Sequence, residues 1–145
     1  MATVNVYLTF NGNTEEAFNF YKSVFCGDFT YLGRFKDMPA DESCPPPSED
    51  EGNRIMHVSL AISKETILMG SDSTSFSGDV TFGNNFSVSI NTNSKEEADK
   101  LFNGLSANGT IIMPMEKTFW GAYFGMFTDK FGINWMVNFD EVPAS

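Results

Sequence analysis

The sequence predicts an α+β fold in which one strand–helix–three-strand module, βαβββ, is written twice. Three observations carry this. First, Asn5-Val-Tyr-Leu-Thr-Phe-Asn-Gly-Asn-Thr-Glu-Glu-Ala17 returns loosely as Asn85-Phe-Ser-Val-Ser-Ile-Asn-Thr-Asn-Ser-Lys-Glu-Glu-Ala98. Second, both copies open with an apolar alternation, Val4, Val6, Leu8 and Phe10 in one and Phe86, Val88 and Ile90 in the other. A period of two is that of a half-buried strand. Third, a helical face follows each time, Ala17, Tyr21, Val24 and Phe25 matching Ala98, Leu101, Phe102 and Leu105.

Taken in order, the first strand covers residues 4–10. Asn13 stands three residues before Glu16, and Ser94 three before Glu97, the spacing of a capping box at each helix start. Each helix is expected to stop at a glycine, Gly27 or Gly109, in the left-handed conformation. The copies are offset by 80 residues in the strands and 81 in the helices. A second strand spans 28–36, with aromatics at Phe29, Tyr31 and Phe35. In the third, 54–62, Met56, Val58, Leu60 and Ile62 face inward, and Ile55, His57, Ser59 and Ala61 share the other face. A fourth strand covers 66–70, and a Ser-, Gly- and Asp-rich connector covers 71–84. The second copy runs as strand 85–90, helix 95–107, and strands 110–115, 121–128 and 133–139, the last two joined at Asp129-Lys-Phe-Gly132. The expected organisation is a single domain over 1–145, with module boundaries near 1–76 and 77–145.

Composition narrows the function classes. A net charge of −10 argues against nucleic acid, because phosphate binding needs a basic surface. Residues 37–53 hold six acids and no Lys or Arg, so much of that charge belongs to one loop, a mobile insertion or a lid, broken by Pro45-Pro46-Pro47. No apolar run approaches the roughly 20 residues of a membrane span, and strand pattern begins without a leader, so no membrane partner and a cytoplasmic location are expected. Cys26 and Cys44 form no metal-binding pair and read as free thiols.

An ordered set of motifs runs through nearly the whole chain: Tyr7-Leu-Thr-Phe-Asn-Gly12, Glu16-Ala with Phe20-Tyr21, His57, Leu68-Met69 through Asp72, Thr118-Phe-Trp-Gly121, Phe124-Gly125, and Asp129-Lys-Phe-Gly-Ile-Asn-Trp-Met136. The set resembles the PhnB-like branch of the vicinal oxygen chelate superfamily, which includes glyoxalase I, extradiol dioxygenases and the bleomycin and fosfomycin resistance proteins. The resemblance implies that the eight strands form a curved sheet around a cavity with the helices outside. It also implies a homodimer, which the 15 Phe, 4 Tyr and 2 Trp would help to build. Relatives of this branch often carry a demethylubiquinone methyltransferase label. The glycine-rich strand-to-helix turn of a methyl-donor site is not found in the sequence.

Metal enzymes of the superfamily place four ligands on four strands. Carried over by strand pattern, those positions fall on Asn5, Asn85, Met136 and Leu68 or Met69, and amides with thioethers are poor ligands for a catalytic divalent cation. No metal or cofactor is therefore expected. His57, the only histidine, is either a strand residue satisfied by a neighbour or a general acid or base, being the one side chain that ordinarily exchanges a proton near neutral pH. Asn5, Tyr7, Thr9, Asn85 and Ser87 are candidate ligand-binding residues on the strand faces opposite the helices, with Trp120 and Met136 as an apolar wall. Trp135 reads as core, and Asp72 as a turn cap. Three functions follow: a small molecule bound in the inter-module cavity without the usual metal; a metal-dependent lyase, isomerase or dioxygenase using a displaced site of His57 with Glu116 or Asp72; and a dimer scaffold.

Overall fold

The opening alternation folds as a strand, β1 (Val6–Phe10), that buries Leu8 and Phe10 and leaves Tyr7 exposed between them. The computed structural model describes residues 2–38, 48–75 and 77–141, so Cys44 and the three prolines of the acidic connection lie outside the described residues. Two compact units divide the chain, Met1–Thr81 and Phe82–Ser145. After β1 the first unit continues as α1 (Thr14–Phe25), β2 (Asp28–Arg34), a single helical turn at Phe35–Asp37, α2 (Glu49–Gly52), β3 (Ile55–Ala61) and β4 (Ile67–Asp72). The second has β5 (Val88–Asn91), α3 (Lys95–Ser106), β6 (Thr110–Lys117), β7 (Ala122–Thr128) and β8 (Asn134–Asp140). The two short helical pieces at Phe35–Asp37 and α2 fall where a strand end and a loop were expected.

Each unit forms one four-stranded mixed sheet, in the orders β1-β4-β3-β2 and β5-β8-β7-β6, with the first strand parallel to its neighbour and the rest antiparallel. The α+β fold of two βαβββ modules is thus present, its eight strands shared between two sheets. Each helix lies on one face of its own sheet. Phe10, Phe18, Tyr21, Val58, Leu60 and Leu68 make the first core, with Phe10 and Phe18 edge to face at 6.3 Å. Leu105, Phe102, Phe127, Trp135 and Val137 lie in the second, with Phe102 and Phe127 at 5.1 Å. Burying each such side chain contributes about 1.5–3 kcal/mol.

Four expectations need correction. The first strands start late, because pairing begins only at Val6 with Leu68 and at Val88 with Trp135. Asn5, Asn85 and Ser87 precede the strands, and Val4 is 98% exposed. In β3, the register with β2 slips between Gly33 and Arg34, and this bulge puts Ile55 into the core beside Val58 rather than on the face of His57.

The left-handed residues at the helix ends are Cys26 (φ 57°) and Asn108 (φ 62°), not Gly27 and Gly109. The glycines serve close approach instead: a Cβ on Gly27 would be driven into the carbonyl of Ala61, and one on Gly109 into that of Thr128.

Those two contacts, at equivalent ends of β3 and β7, also correct the offset of the strands, while α1 and α3 keep the expected offset of 81. Gly27 matches Gly109 before the slip in β2 and β6 and Tyr31 matches Met113 after it, both at a shift of 82; Tyr7 then matches Ser89 rather than Ser87.

Candidate functional site

The face of the first sheet turned away from α1 carries the single histidine, His57, with Tyr7 and Tyr31 beside it. Strand pleating puts Tyr7 and Thr9 of β1, His57 and Ser59 of β3, and Met69 of β4 on this side, because Leu8, Phe10, Val58, Leu60 and Leu68 point to the helix. Register then brings them together. Tyr7 pairs with Met69, Met69 with Ser59, and Ser59 with Tyr31, while Gly33 lies opposite His57.

His57 is bonded at both ring nitrogens. The Tyr7 hydroxyl lies 3.3 Å from Nδ1 and the Ser59 hydroxyl 3.1 Å from Nε2. The rings of Tyr7 and Tyr31 stand 5.6 and 5.8 Å from the imidazole. Tyr31 fits there because β2 has a glycine at 33: a Cβ at that position would meet the Tyr31 hydroxyl at 2.5 Å. The chain of groups runs from outside to inside, with Tyr7 47% exposed, His57 half-buried and Ser59 8% exposed.

In the second unit the same register positions carry different chemistry. Met113, Met126, Met136 and Ser89 form the row equivalent to Tyr31, Ser59, Met69 and Tyr7, and Phe124 stands where His57 stands. Trp120, 58% exposed at the β6–β7 turn, packs between Phe119 and Phe124 at 5.0 and 6.2 Å.

Of the residues singled out from sequence, Tyr7, Thr9 and His57 share one face in the first unit, and Met136 and Trp120 border the corresponding face in the second. Asn5 and Asn85 are exposed and Ser87 half-buried, all three ahead of their strands. Tyr31, Ser59, Met113 and Phe124 had not been singled out as site residues. Alternation in β2 would point to Tyr31 but for the slip between Phe29 and Tyr31.

The donor set does not suit the metal that the sequence resemblance brings into question. Met69 and Met136 occupy equivalent places on the last strand of each unit, Leu68 is buried toward α1, and no group of three His, Cys, Asp or Glu able to hold a metal occurs among the described residues. Thioethers, amides and hydroxyls supply neither the charge nor the basicity a catalytic divalent cation needs. Asp72 does not join His57 either. Its buried carboxylate accepts from Gly12 N (3.1 Å), Thr14 N (2.9 Å), Thr14 Oγ1 (2.5 Å) and Ile55 N (2.8 Å), on the helix side of the sheet.

Comparison with known proteins agrees with this architecture. The family model described as 3-demethylubiquinone-9 3-methyltransferase matches residues 2–138. Protein YjdN of Escherichia coli (strain K12) is 33% identical over 141 residues, 91% of each chain. Protein PA1353 from Pseudomonas aeruginosa, 37% identical, superposes with a TM-score of 0.82 over 97% of this chain and 98% of that one. A PhnB protein from Bacillus cereus, described as a putative 3-demethylubiquinone-9 3-methyltransferase, is 26% identical, with a TM-score of 0.70 over 95% and 99% of the two chains. In fold alone, the chain is similar to a glyoxylase/bleomycin resistance protein/dioxygenase domain from Frankia sp. EAN1pec (12% identical, TM-score 0.68, 97% and 92% covered).

Proposed function

Since the chain belongs to the PhnB-like family described as 3-demethylubiquinone-9 3-methyltransferase, with a glyoxalase-like fold, we propose that it binds a small organic molecule through its helix-free sheet faces and does so without the superfamily's usual metal. The observation behind this reading is the hydrogen-bonded chain Tyr7–His57–Ser59 on a face whose other members are neutral. A few convergent polar groups beside aromatic and thioether surface are what small-molecule sites are made of. In the first unit Tyr7, Thr9 and His57 offer hydrogen bonds beside the Tyr31 ring and the Met69 thioether, and in the second Trp120, Phe124 and Met136 offer an apolar surface of their own. The methyl transfer in the family description draws no support from the turn between β1 and α1, Asn11-Gly12-Asn13, which is held by Asp72 rather than left open to a cofactor.

No helix among the described residues is long and apolar enough to cross a membrane. A cytoplasmic, homodimeric protein is part of the proposal, the latter supported by exposed Phe86, Ile111 and Ile112 and checked by light scattering. The main test is mass spectrometry of gently purified protein together with metal analysis. An organic compound released on denaturation is expected. The neutral amide of His57→Gln should still bind that compound, though more weakly, while abolishing any turnover. Stoichiometric zinc, nickel, iron or manganese overturns the reading.

A further inference from the structure

A neutral imidazole donates from one nitrogen and accepts at the other, so the two bonds of His57 constrain each other. With the proton on Nε2, His57 donates to Ser59, Nδ1 accepts the Tyr7 hydroxyl proton, and the Tyr7 oxygen is left open as an acceptor. With the proton on Nδ1, Ser59 donates to Nε2, His57 donates to Tyr7, and the Tyr7 proton turns outward. An imidazolium donates to both hydroxyls and again leaves Tyr7 a donor. The exposed phenol therefore changes its hydrogen-bond sense with the protonation of a group one step further in, and the inner end, Ser59, accommodates either sense.

We propose that Tyr7, His57 and Ser59 are a proton relay whose ligand is an acidic hydroxyl, a phenol or an enol, bound as its anion; this deepens the binding function proposed above and rests on it. The transfer balances. The ligand O–H gives its proton to the Tyr7 oxygen while the Tyr7 O–H gives its own to His57 Nδ1. Tyr7 stays neutral, the ligand becomes the phenolate or enolate, and His57 becomes the imidazolium, still donating through Nε2 to Ser59. The products are held by the bond from Tyr7 to the anion and by the attraction of opposite charges across one phenol group.

The surroundings leave this exchange to the ligand. Tyr7 and Tyr31 are the titratable groups on the strands that face the imidazole. Of the charged residues on those flanking strands, Arg34 pairs with Glu15 of α1, Asp72 is bonded around the start of α1, and Asp28 lies at the other end of β2, opposite Ala61. No carboxylate among the described residues is bonded to His57 to supply its counter-charge. An anionic ligand would supply it.

The experiment uses 4-nitrophenol, whose ionisation is visible by absorbance, and NMR of the His57 ring, whose resonance is unambiguous because the chain holds a single histidine. Bound 4-nitrophenol is expected to ionise at lower pH than when free. The His57 titration midpoint is expected to rise by about one unit or more on binding, as an adjacent opposite charge favours the imidazolium. Tyr7→Phe should remove both effects and weaken binding at least about tenfold, the loss of a charge-assisted hydrogen bond. Since Tyr7 is exposed, this variant removes one hydroxyl from the surface rather than from the core. Ser59→Ala should keep binding but reduce the shift. The relay is overturned if 4-nitrophenol does not bind, if it binds with the His57 midpoint unmoved, or if Tyr7→Phe keeps the shift. Failure here with an organic compound still co-purifying would refute the ligand class alone. A metal in place of that compound would refute the binding proposal itself.

Discussion

The two units share their strand order, their register and the slip in their second strand, yet solve the same local problems differently. The clearest case is the start of the helix. In α3 the cap is local: Ser94 Oγ accepts from Glu97 N at 3.0 Å, and the Glu97 carboxylate reaches back to Asn93 N at 3.0 Å. In α1 Asn13 makes no side-chain cap, and Asp72, about sixty residues away on β4, takes the N–H groups of Gly12 and Thr14 and also holds Ile55 of β3. One helix start is a property of five consecutive residues, Asn93 to Glu97. The other exists only once the sheet has formed. The faces diverge in the same manner, Tyr31, His57, Ser59 and Tyr7 in one unit against Met113, Phe124, Met126 and Ser89 in the other. A duplicated scaffold thus holds a hydrogen-bonding, titratable surface and an apolar thioether-rich one at matching positions, and thioethers suit an apolar contact surface because they repack readily.

Removing the two caps should separate them most. Asp72→Ala is expected to lower stability on the order of 3–5 kcal/mol, since each buried N–H left without an acceptor costs about 1–3 kcal/mol. Urea denaturation followed by circular dichroism reads this, and a loss no larger than that of Ser94→Ala would break the contrast.

Gly27→Ala and Gly109→Ala test the opposite point, that the units are equivalent at the helix exits. Each added methyl meets a carbonyl of a neighbouring strand, so both should cost about 1–3 kcal/mol. If alanine were tolerated at one site and not the other, the 82-residue offset would lose its anchor.

Ser94→Ala should cost about 1 kcal/mol, as loss of a local cap generally does.

The smallest effect lies in alkali. Tyr123 donates to Asp99 at 2.6 Å, and that bond, with burial and nearby negative charge, pushes its hydroxyl up to about 12 from an ordinary 10.0. The folded state prefers the neutral phenol, so the contribution is full below pH 10.0 and is lost as pH rises toward about 12. Tyr123→Phe should flatten stability over that window. In the first unit Arg34 hydrogen-bonds Glu15 and lowers its carboxyl below the usual range, so that pair instead loses its contribution as pH falls into acid.

What the sequence alone determined is what short-range periodicity encodes: the duplicated βαβββ order, the helix faces around Tyr21 and Phe102, and the inward parity of Leu8, Phe10, Val58 and Leu60, each of which is buried. Period-two and helical spacing survive in the chain because every residue of a face must meet the same core. Ser94 was legible for the same reason, its partners lying within four residues. The tertiary structure decided everything that depends on a distant strand. It set where β1 and β5 begin, because each runs parallel to its partner and pairing starts only where β4 and β8 start. It set the bulge that buries Ile55, the cap from Asp72, and the use of Gly27 and Gly109 for close approach. At the candidate site, alternation had already put Tyr7 on a helix-free face and His57 with Ser59 on another. Their meeting, and the arrival of Tyr31, required the register of four strands drawn from across the first unit, and a one-residue slip in that register would turn the whole set to the other side.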